Sequence, residues 1–388
     1  MIAVWWGYLG LALLYWLVMA VNALRVARWV PQLDRLRPPE PDRWPSLSIL
    51  VPACNEAEAI EEAVASLLRL DYPNFELILI DDRSTDRTGE LIDRIAASDG
   101  RVRPVHITAL PDGWLGKVHA LARGVELAHG DWLLMTDADV HLAPDTLRRV
   151  IAWCEHRHWD HLAASPDLWS SGLWFDALVS SFVRLGCVSA RPWAVENPRS
   201  KACIGIGAFN LVRRSIFARS EGFPWLRLEV TDDVGLGYLM KRSGGRSTLV
   251  NACGFIGLHW YRSLAEMARG VEKAYATIAN CSLLRMVAIC LVLVAMETSA
   301  WTSLATLGTP GLRWVGVATF LLWLASVLTI LRWARRPILP GLLSPLAILL
   351  GTAITLRAGW LGFRRGGVIW RGTLYPSKLL REGRRVPF

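Results

Sequence analysis

No C-x-x-C pair or other regular spacing links the seven cysteines of this 388-residue chain, Cys54, Cys154, Cys187, Cys203, Cys253, Cys281 and Cys290. An odd, scattered set excludes a disulfide framework and reads as reduced thiols facing cytosol or membrane. Internal repeats and low-complexity tracts are also missing. Charge is sparse, at 20% of residues, and its acidic part is the smaller one, 34 Asp and Glu against 43 Lys and Arg, for a net charge of +9. A positive excess suits nucleic acid or anionic lipid, and apolar spans beside Arg clusters favour lipid, with no nucleic-acid partner. What the chain has in plenty is apolar surface. Hydrophobic residues make up 53% and mean hydropathy is +0.30, too apolar for an ordinary soluble enzyme. Trp occurs 20 times, often near long apolar runs, where indole rings favour the membrane–water interface.

The opening stretch, MIAVWWGYLGLALLYWLVMAVNAL, carries no charge over a length that as a helix crosses about 30 Å of hydrocarbon. It has neither a basic n-region nor a small-residue cleavage site, so residues 1–25 are expected to be an anchor and not a signal peptide. Arg25, Arg28, Arg35 and Arg37 follow at once, which places the next residues in the cytoplasm and the whole at the inner (plasma) membrane. Residues 26–45, with RPPEPDRWP, read as a stiff linker. Three further apolar stretches, near 284–307, 312–331 and 338–361, make residues 283–361 a membrane region. The last is broken by Pro340, Gly341, Pro345 and Gly351, and a full crossing would carry the basic tail 362–388 outside, against the charge rule. A re-entrant segment with a cytoplasmic tail is therefore expected. Glu297 reads either as a helix–helix hydrogen-bonding group or as part of a lipid path, and residues 263–282 as an amphipathic interfacial helix.

Between these regions, at residues 46–262, the pattern changes. SLSILVP, FELILIDD, RVRPVHI and DWLLMTD read as strands, and EAIEEAVASLLRL, TGELIDRIAAS and KVHALARGVELA as intervening helices. Such alternation predicts an α/β domain with a parallel sheet and helices on both faces. Polar groups gather after the strands: Asn55 and Glu56, Asp81 and Asp82, Asp137 and Asp139. Ligands of open α/β sheets bind outside the carboxyl ends of the strands. Two carboxylates as close as Asp137 and Asp139 repel each other unless a divalent cation sits with them, and all-oxygen ligation selects Mg2+ or Mn2+. Too few protein ligands are in view to fill an octahedron, so water and a diphosphate would complete it. Capping of the following helix is the plainer reading of an isolated D-x-D. Lys117, after Gly113 and Gly116 at a helix start, suits phosphate. Asp82 suits either a nucleobase edge or an N-cap. Asp232 and Asp233 fall in the first turn of a helix that Thr231 would cap, and either would serve as a general base. CEHRHWDH is read as a solvated helix end, because His156 and His158 fall on different faces.

The ordered set SILVPACNEAEAI, LILIDDRSTD, GWLGKVHAL, LMTDADV and EVTDDVGLGYLMKRSG resembles the inverting family-2 glycosyltransferases over roughly residues 46–275. The likeness is strongest to the membrane-anchored carotenoid, hopanoid and ceramide branch. It implies a GT-A-like fold, a doubly wound mixed sheet that binds a nucleoside-diphosphate sugar, and a lipid acceptor. By that resemblance Pro52, Asn55, Glu56 and Asp82 would line the donor's nucleoside. Lys117 would meet the diphosphate, Asp137 and Ala138 would lie by the ribose or sugar, and Asp139 would ligate the metal with Asp137. Asp233 would be the base and Asp232 its neighbour. CIGIGAFNLVRRSIF resembles the acceptor segment, where Gly205 and Gly207 would let backbone approach a sugar or lipid head; a bulge or tight turn is the other reading. The Q-x-x-R-W helix of processive members is missing, which argues against a polymer synthase, and His259, Trp260 and Arg262 would cover part of its role. VIWRGTLYP resembles a terminal W-R-G-x-x-Y signature in which Arg371 would return to the diphosphate. A metal-dependent transfer of one sugar to a lipid hydroxyl is the leading expectation. A polyprenyl-phosphate sugar transferase and a non-catalytic nucleotide-sugar-binding scaffold are the alternatives, and a transporter has too few spans.

Overall fold

The computed structural model describes residues 2–387, which form two compact units. One holds residues 31–169, 194–260 and 378–388; the other holds 1–30, 170–193 and 261–377.

The first unit is built on strands β1 (Leu47–Ala53), β2 (Phe75–Asp82), β3 (Val102–Ile107), β4 (Trp132–Met135), β5 (His141–Leu142), β6 (His161–Ser165), β7 (Asp167–Leu168), β8 (Asn210–Arg213), β9 (Ser247–Asn251) and β10 (Ile256–Leu258). Seven of them form a sheet in the order β3-β2-β1-β4-β8-β6-β9, and β5-β10-β7 form a small second sheet. Strand β1 pairs in parallel with β2 and β4, while β8 runs antiparallel to both β4 and β6, so the main sheet is mixed. Every residue of β1 is buried, as a strand covered on both faces requires. Ile49, Val51, Leu77 and Leu79 share one core with Ile60, Val64, Leu91, Ile92 and Leu147 from three helices. On the other face Leu50 and Ile80 lie under Gly124 of the helix Gly116–Leu127. The four expected strands and three expected helices of residues 46–137 are all present.

The second unit contains five helices long and apolar enough to cross a membrane by length and composition. Their apolar spans are Ala3–Trp29, Leu173–Ala194, Leu283–Thr306, Leu312–Trp333 and Ser344–Arg365. The second of these lies inside the stretch 46–262 and was not among the expected apolar spans. Asp176 and Arg184 interrupt its sequence, but both are buried: Asp176 lies 3.5 Å from Arg336, and Arg184 pairs with Glu297. Glu297 is fully buried and also accepts from the Tyr15 hydroxyl, so it joins helices to one another, the first of its two readings. The broken stretch 338–361 is a five-residue helix, Ile338–Leu342, followed by a continuous one, Ser344–Arg365, whose Pro345 sits in the first turn where proline is tolerated. The amphipathic helix expected over 263–282 is instead divided into Leu264–Gly270, a 3-10 turn Val271–Lys273 and Ala274–Thr277. Strands β11 (Gly367–Trp370) and β12 (Thr373–Pro376) close this unit with an antiparallel hairpin.

Candidate active site

The carboxyl ends of β1, β2 and β4 deliver their polar residues to one edge of the main sheet, as strand polarity demands. Asn55, just past β1, has φ of 58°, a conformation that Asn tolerates better than most residues. Its side-chain oxygen accepts from the Thr85 N–H at 2.8 Å and the Asp86 N–H at 3.3 Å, which fixes the loop after β2. Glu56 is tied through its own N–H to Thr88 Oγ1 at 2.8 Å. Asp82 is fully buried, with Arg83 Nε at 2.8 Å and a second guanidinium nitrogen at 3.2 Å. It does not cap the helix Thr88–Ser98; Asp86 accepts from Thr88 there instead.

The helix Gly116–Leu127 starts beside Asp82 and carries Lys117 in its first turn. Lys117 Nζ lies 2.6 Å from Asp137 Oδ1 and 3.5 Å from Asp232 Oδ2. Burial alone would lower the pKa of this ammonium, but Asp137, Asp232 and Asp233 outweigh that effect and hold it well above the usual lysine value. Pro52, Lys117, Thr136, Asp137, Gly207, Asn210, Asp232 and Asp233 line one cavity. Asp139 is pushed up to about 7, by burial first and then by the Asp137 and Glu56 carboxylates, with Lys117 offsetting only part. Ala138, between the two aspartates, is buried in the core.

This excess of negative potential fits a divalent cation, since ionising Asp139 is costly until a positive charge arrives. Oxygen donors of this kind suit Mg2+ or Mn2+. Among the described residues no group of three or more His, Cys, Asp or Glu closes around a metal position by itself. A bound ion would therefore keep places for water and for a ligand's phosphate oxygens.

Asp233 is positioned from several sides. Its Oδ2 accepts from the Gly207 N–H at 3.1 Å and its Oδ1 from the Val234 N–H at 2.8 Å. Its carbonyl accepts from Asn210 Nδ2 at 3.0 Å, and Asn210 Oδ1 is met at 2.7 Å by Nε2 of the buried His161. Burial lowers the His161 pKa to about 4, so the ring is neutral at pH 7 and donates from Nε2. Thr231, expected as a side-chain cap, instead donates its hydroxyl to Glu229 Oε1 at 2.7 Å.

The two glycines of the segment before β8 permit close approach. A Cβ on Gly205 would run into the Asp233 carbonyl, and one on Gly207 would lie 2.7 Å from Asp137 Oδ2 and 3.4 Å from Lys117 Nζ. Gly205→Ala is expected to cost about 1–3 kcal/mol of stability, read by denaturant unfolding; an unchanged midpoint would mean that this backbone approach is not needed.

Trp260 is half-buried and ends the second of the three stretches that make up this unit. Arg262 and Arg371 belong to the other unit. Arg262 is exposed and its N–H donates to Glu266 Oε2 at 2.8 Å. Arg371 and Gly372, with φ of 47° and 79°, form the two-residue turn of the β11–β12 hairpin, as a type I′ connection requires. Sequence reasoning missed Asn210, His161, Arg83 and Glu229. Asn210 had the one usable signal, a polar residue three positions after Gly207 at a strand start.

Residues 48–221 match the model of the family described as Glycosyl transferase family 2. The family-2 match covers β1 to β8 and ends before Asp232 and Asp233. Over 109 residues the chain is 35% identical to a beta-monoglucosyldiacylglycerol synthase of Nostoc, which is 28% of this chain and 23% of that protein. Over 110 residues it is 37% identical to a PGL/p-HBAD biosynthesis glycosyltransferase of Mycobacterium bovis, 28% of this chain and 41% of the other. Glycosyltransferase GlyG of Streptococcus pneumoniae is 34% identical over 93 residues, 24% of this chain and 30% of its own length. The chain thus spans less than half the length of these relatives. In fold it is similar to mannosyltransferase PcManGT from Pyrobaculum calidifontis, solved in complex with GDP-Man and Mn2+, with a TM-score of 0.55 at 20% identity over 94% of this chain and 97% of the other. The unit built on β1 to β10 thus has a GT-A-like α/β fold with a mixed central sheet, as expected.

Proposed function

We propose that the chain is a membrane-bound, inverting family-2 glycosyltransferase that moves one sugar from a nucleoside-diphosphate sugar to a lipid-type hydroxyl. The observation that carries this reading is the convergence of Lys117, Asp137, Asp232 and Asp233 on one cavity at the carboxyl edge of the sheet. Donor-binding roles go to Pro52, Asn55, Glu56, Asp82, Lys117, Asp137 and Ala138, and acceptor-side roles to Gly205, Gly207 and Trp260. Asp233 takes the acceptor hydroxyl's proton while that oxygen attacks the anomeric carbon; the bond from that carbon to the diphosphate breaks, and in-line displacement inverts the centre. Lys117 receives the departing diphosphate's charge. Asp139 and Asp137 would hold a divalent cation, which when bound neutralises the same leaving group. Because Arg83 covers Asp82, a nucleobase reaching that carboxylate has to displace the guanidinium.

Two things support a membrane and a lipid acceptor: the five apolar helices and the Nostoc relative, whose name is that of a glycolipid synthase. Residues 31–169, 194–260 and 378–388 share one unit, so they belong on one side of a membrane. The helix Leu173–Ser189 then cannot be a single crossing, since β7 before it and β8 after it lie in that unit. By the same parity, only an even number of the three apolar helices between 261 and 377 cross. A non-crossing segment near 338–361 is compatible with this parity, and Arg25, Arg28, Arg35 and Arg37 after the first helix favour a cytoplasmic catalytic unit at the inner membrane. Single cysteines placed at exposed Asp42, Arg199 and Lys378 in a background lacking the native ones are expected to react with a membrane-impermeant thiol reagent only after the cytoplasmic face is opened. Labelling of one of the three from the other face would overturn this topology.

The function itself is tested with the purified full chain, Mn2+, GDP-mannose or UDP-glucose, and a hydroxylated lipid acceptor. Nucleoside diphosphate and glycolipid of inverted anomeric configuration are expected in equal amounts. Failure to release nucleoside diphosphate from any of a panel of sugar nucleotides would overturn the enzyme reading.

A further inference from the structure

Glu229 is 3% exposed, and its carboxylate accepts from two parts of the chain far apart in sequence. Oε1 takes the Thr231 N–H at 3.1 Å and hydroxyl at 2.7 Å, and Oε2 takes the N–H groups of Arg385 at 2.7 Å and Val386 at 3.0 Å. Around this carboxylate the same two stretches pack closely. Arg385 Nε donates to the Trp225 carbonyl at 3.1 Å, its guanidinium lies 5.6 Å from the Trp225 ring centre, and Val386 is 2% exposed. A Cβ on Gly383 would run into Leu228.

The stretch from Trp225 to Thr231 reaches both halves of the candidate active site. Its Arg227 carbonyl accepts from the Leu115 N–H at 2.8 Å, two residues before Lys117. Its other end leads straight into Asp232 and Asp233, and Gly235 of that helix packs against Glu229 Cγ. We propose that residues 383–386 act as a latch on Glu229, and that Glu229 is a positioning residue that sets Lys117 against Asp232 and Asp233. Both flanks of the cavity are thereby registered by one buried carboxylate. A misplacement of about 1 Å in such a constellation costs about 100-fold in rate.

The inference rests on the proposed transferase reading, so its test has a readout independent of turnover. In the full chain, amide hydrogen exchange is expected to be slow at Arg385, Val386 and residues 228–236. Glu229→Gln, which keeps the shape but turns one acceptor oxygen into a donor, and deletion of residues 383–388 are both expected to speed exchange at 228–236 and 114–118 at least tenfold while β1 and β2 stay protected. A synthetic peptide of residues 377–388 is expected to restore protection in the deletion variant but not in Glu229→Gln. Where transfer is measurable, kcat falls at least tenfold in both variants and the peptide recovers it only in the deletion. Unchanged exchange at 228–236 in both variants overturns the latch, as does a peptide that rescues both alike. If exchange responds as expected while the unaltered chain transfers no sugar, the latch stands and the transferase reading falls.

Discussion

Asp233→Asn is expected to lower kcat for a hydroxyl acceptor about 10²–10⁴-fold while leaving donor KM nearly unchanged, because only proton removal in the transition state is lost. Asparagine keeps an oxygen for the Gly207 N–H and gives up only the local contact to the Val234 N–H, while the backbone carbonyl held by Asn210 is untouched. Asp232→Asn is the useful comparison. It weakens a 3.5 Å contact to Lys117 and should act on donor KM more than on kcat. If Asp233→Asn instead loses only a few-fold, the acceptor needs little base catalysis and a phosphate acceptor, as in polyprenyl-phosphate sugar transfer, takes the place of the hydroxyl. Single-turnover kinetics with separate donor and acceptor titrations decide between the two.

The second large effect is expected at Asp139. Its carboxyl pKa of about 7 means that a divalent ion competes with a proton below neutrality. Affinity for Mn2+ should therefore fall as pH drops, by up to tenfold per unit below about pH 7, and level off above it. Stability of the metal-free protein runs the other way. Between pH 4 and 7 the folded state holds this proton and the unfolded chain does not, so the group's contribution improves as pH falls. Asp139→Asn should thus be more stable than the parent at pH 8 without metal, by on the order of 2 kcal/mol, and lose metal-stimulated turnover altogether. Calorimetric Mn2+ titration at pH 6 and 8, with thermal melts in chelator, measures both. Equal Mn2+ affinity in Asp139→Asn and parent would remove this residue from the metal site.

Much of this architecture is written locally. The strands near Leu47, Phe75, Val102 and Trp132 are short apolar runs bounded by polar turns, and the helices between them carry 3.6-residue patterns, so four strands and three helices follow from patterning alone. The antiparallel β8 does not, since four residues beginning at Asn210 carry too little periodicity. The apolar helix at Leu173 escaped because hydropathy reads Asp176 and Arg184 as charges, whereas the structure pairs and buries them. At the site, the acidic strand ends were visible because side-chain chemistry marks them. Glu229 was not, because half of its partners are backbone N–H groups more than 150 residues away, and a peptide amide leaves no mark in a sequence. The R-G pair at 371–372 shows the opposite case, where a motif-like spacing is accounted for locally by a hairpin turn.

The joint of Tyr15, Arg184 and Glu297 bears on how the chain is made. Arg184 precedes Glu297 by 113 residues and Tyr15 precedes it by 282. During synthesis the guanidinium leaves the ribosome well before its carboxylate exists, and a buried Arg without its partner is strongly disfavoured. Chains halted before residue 297 therefore lack the partner that the Leu173–Ser189 helix needs, and the helix Leu283–Thr302 completes a joint that two earlier helices leave open.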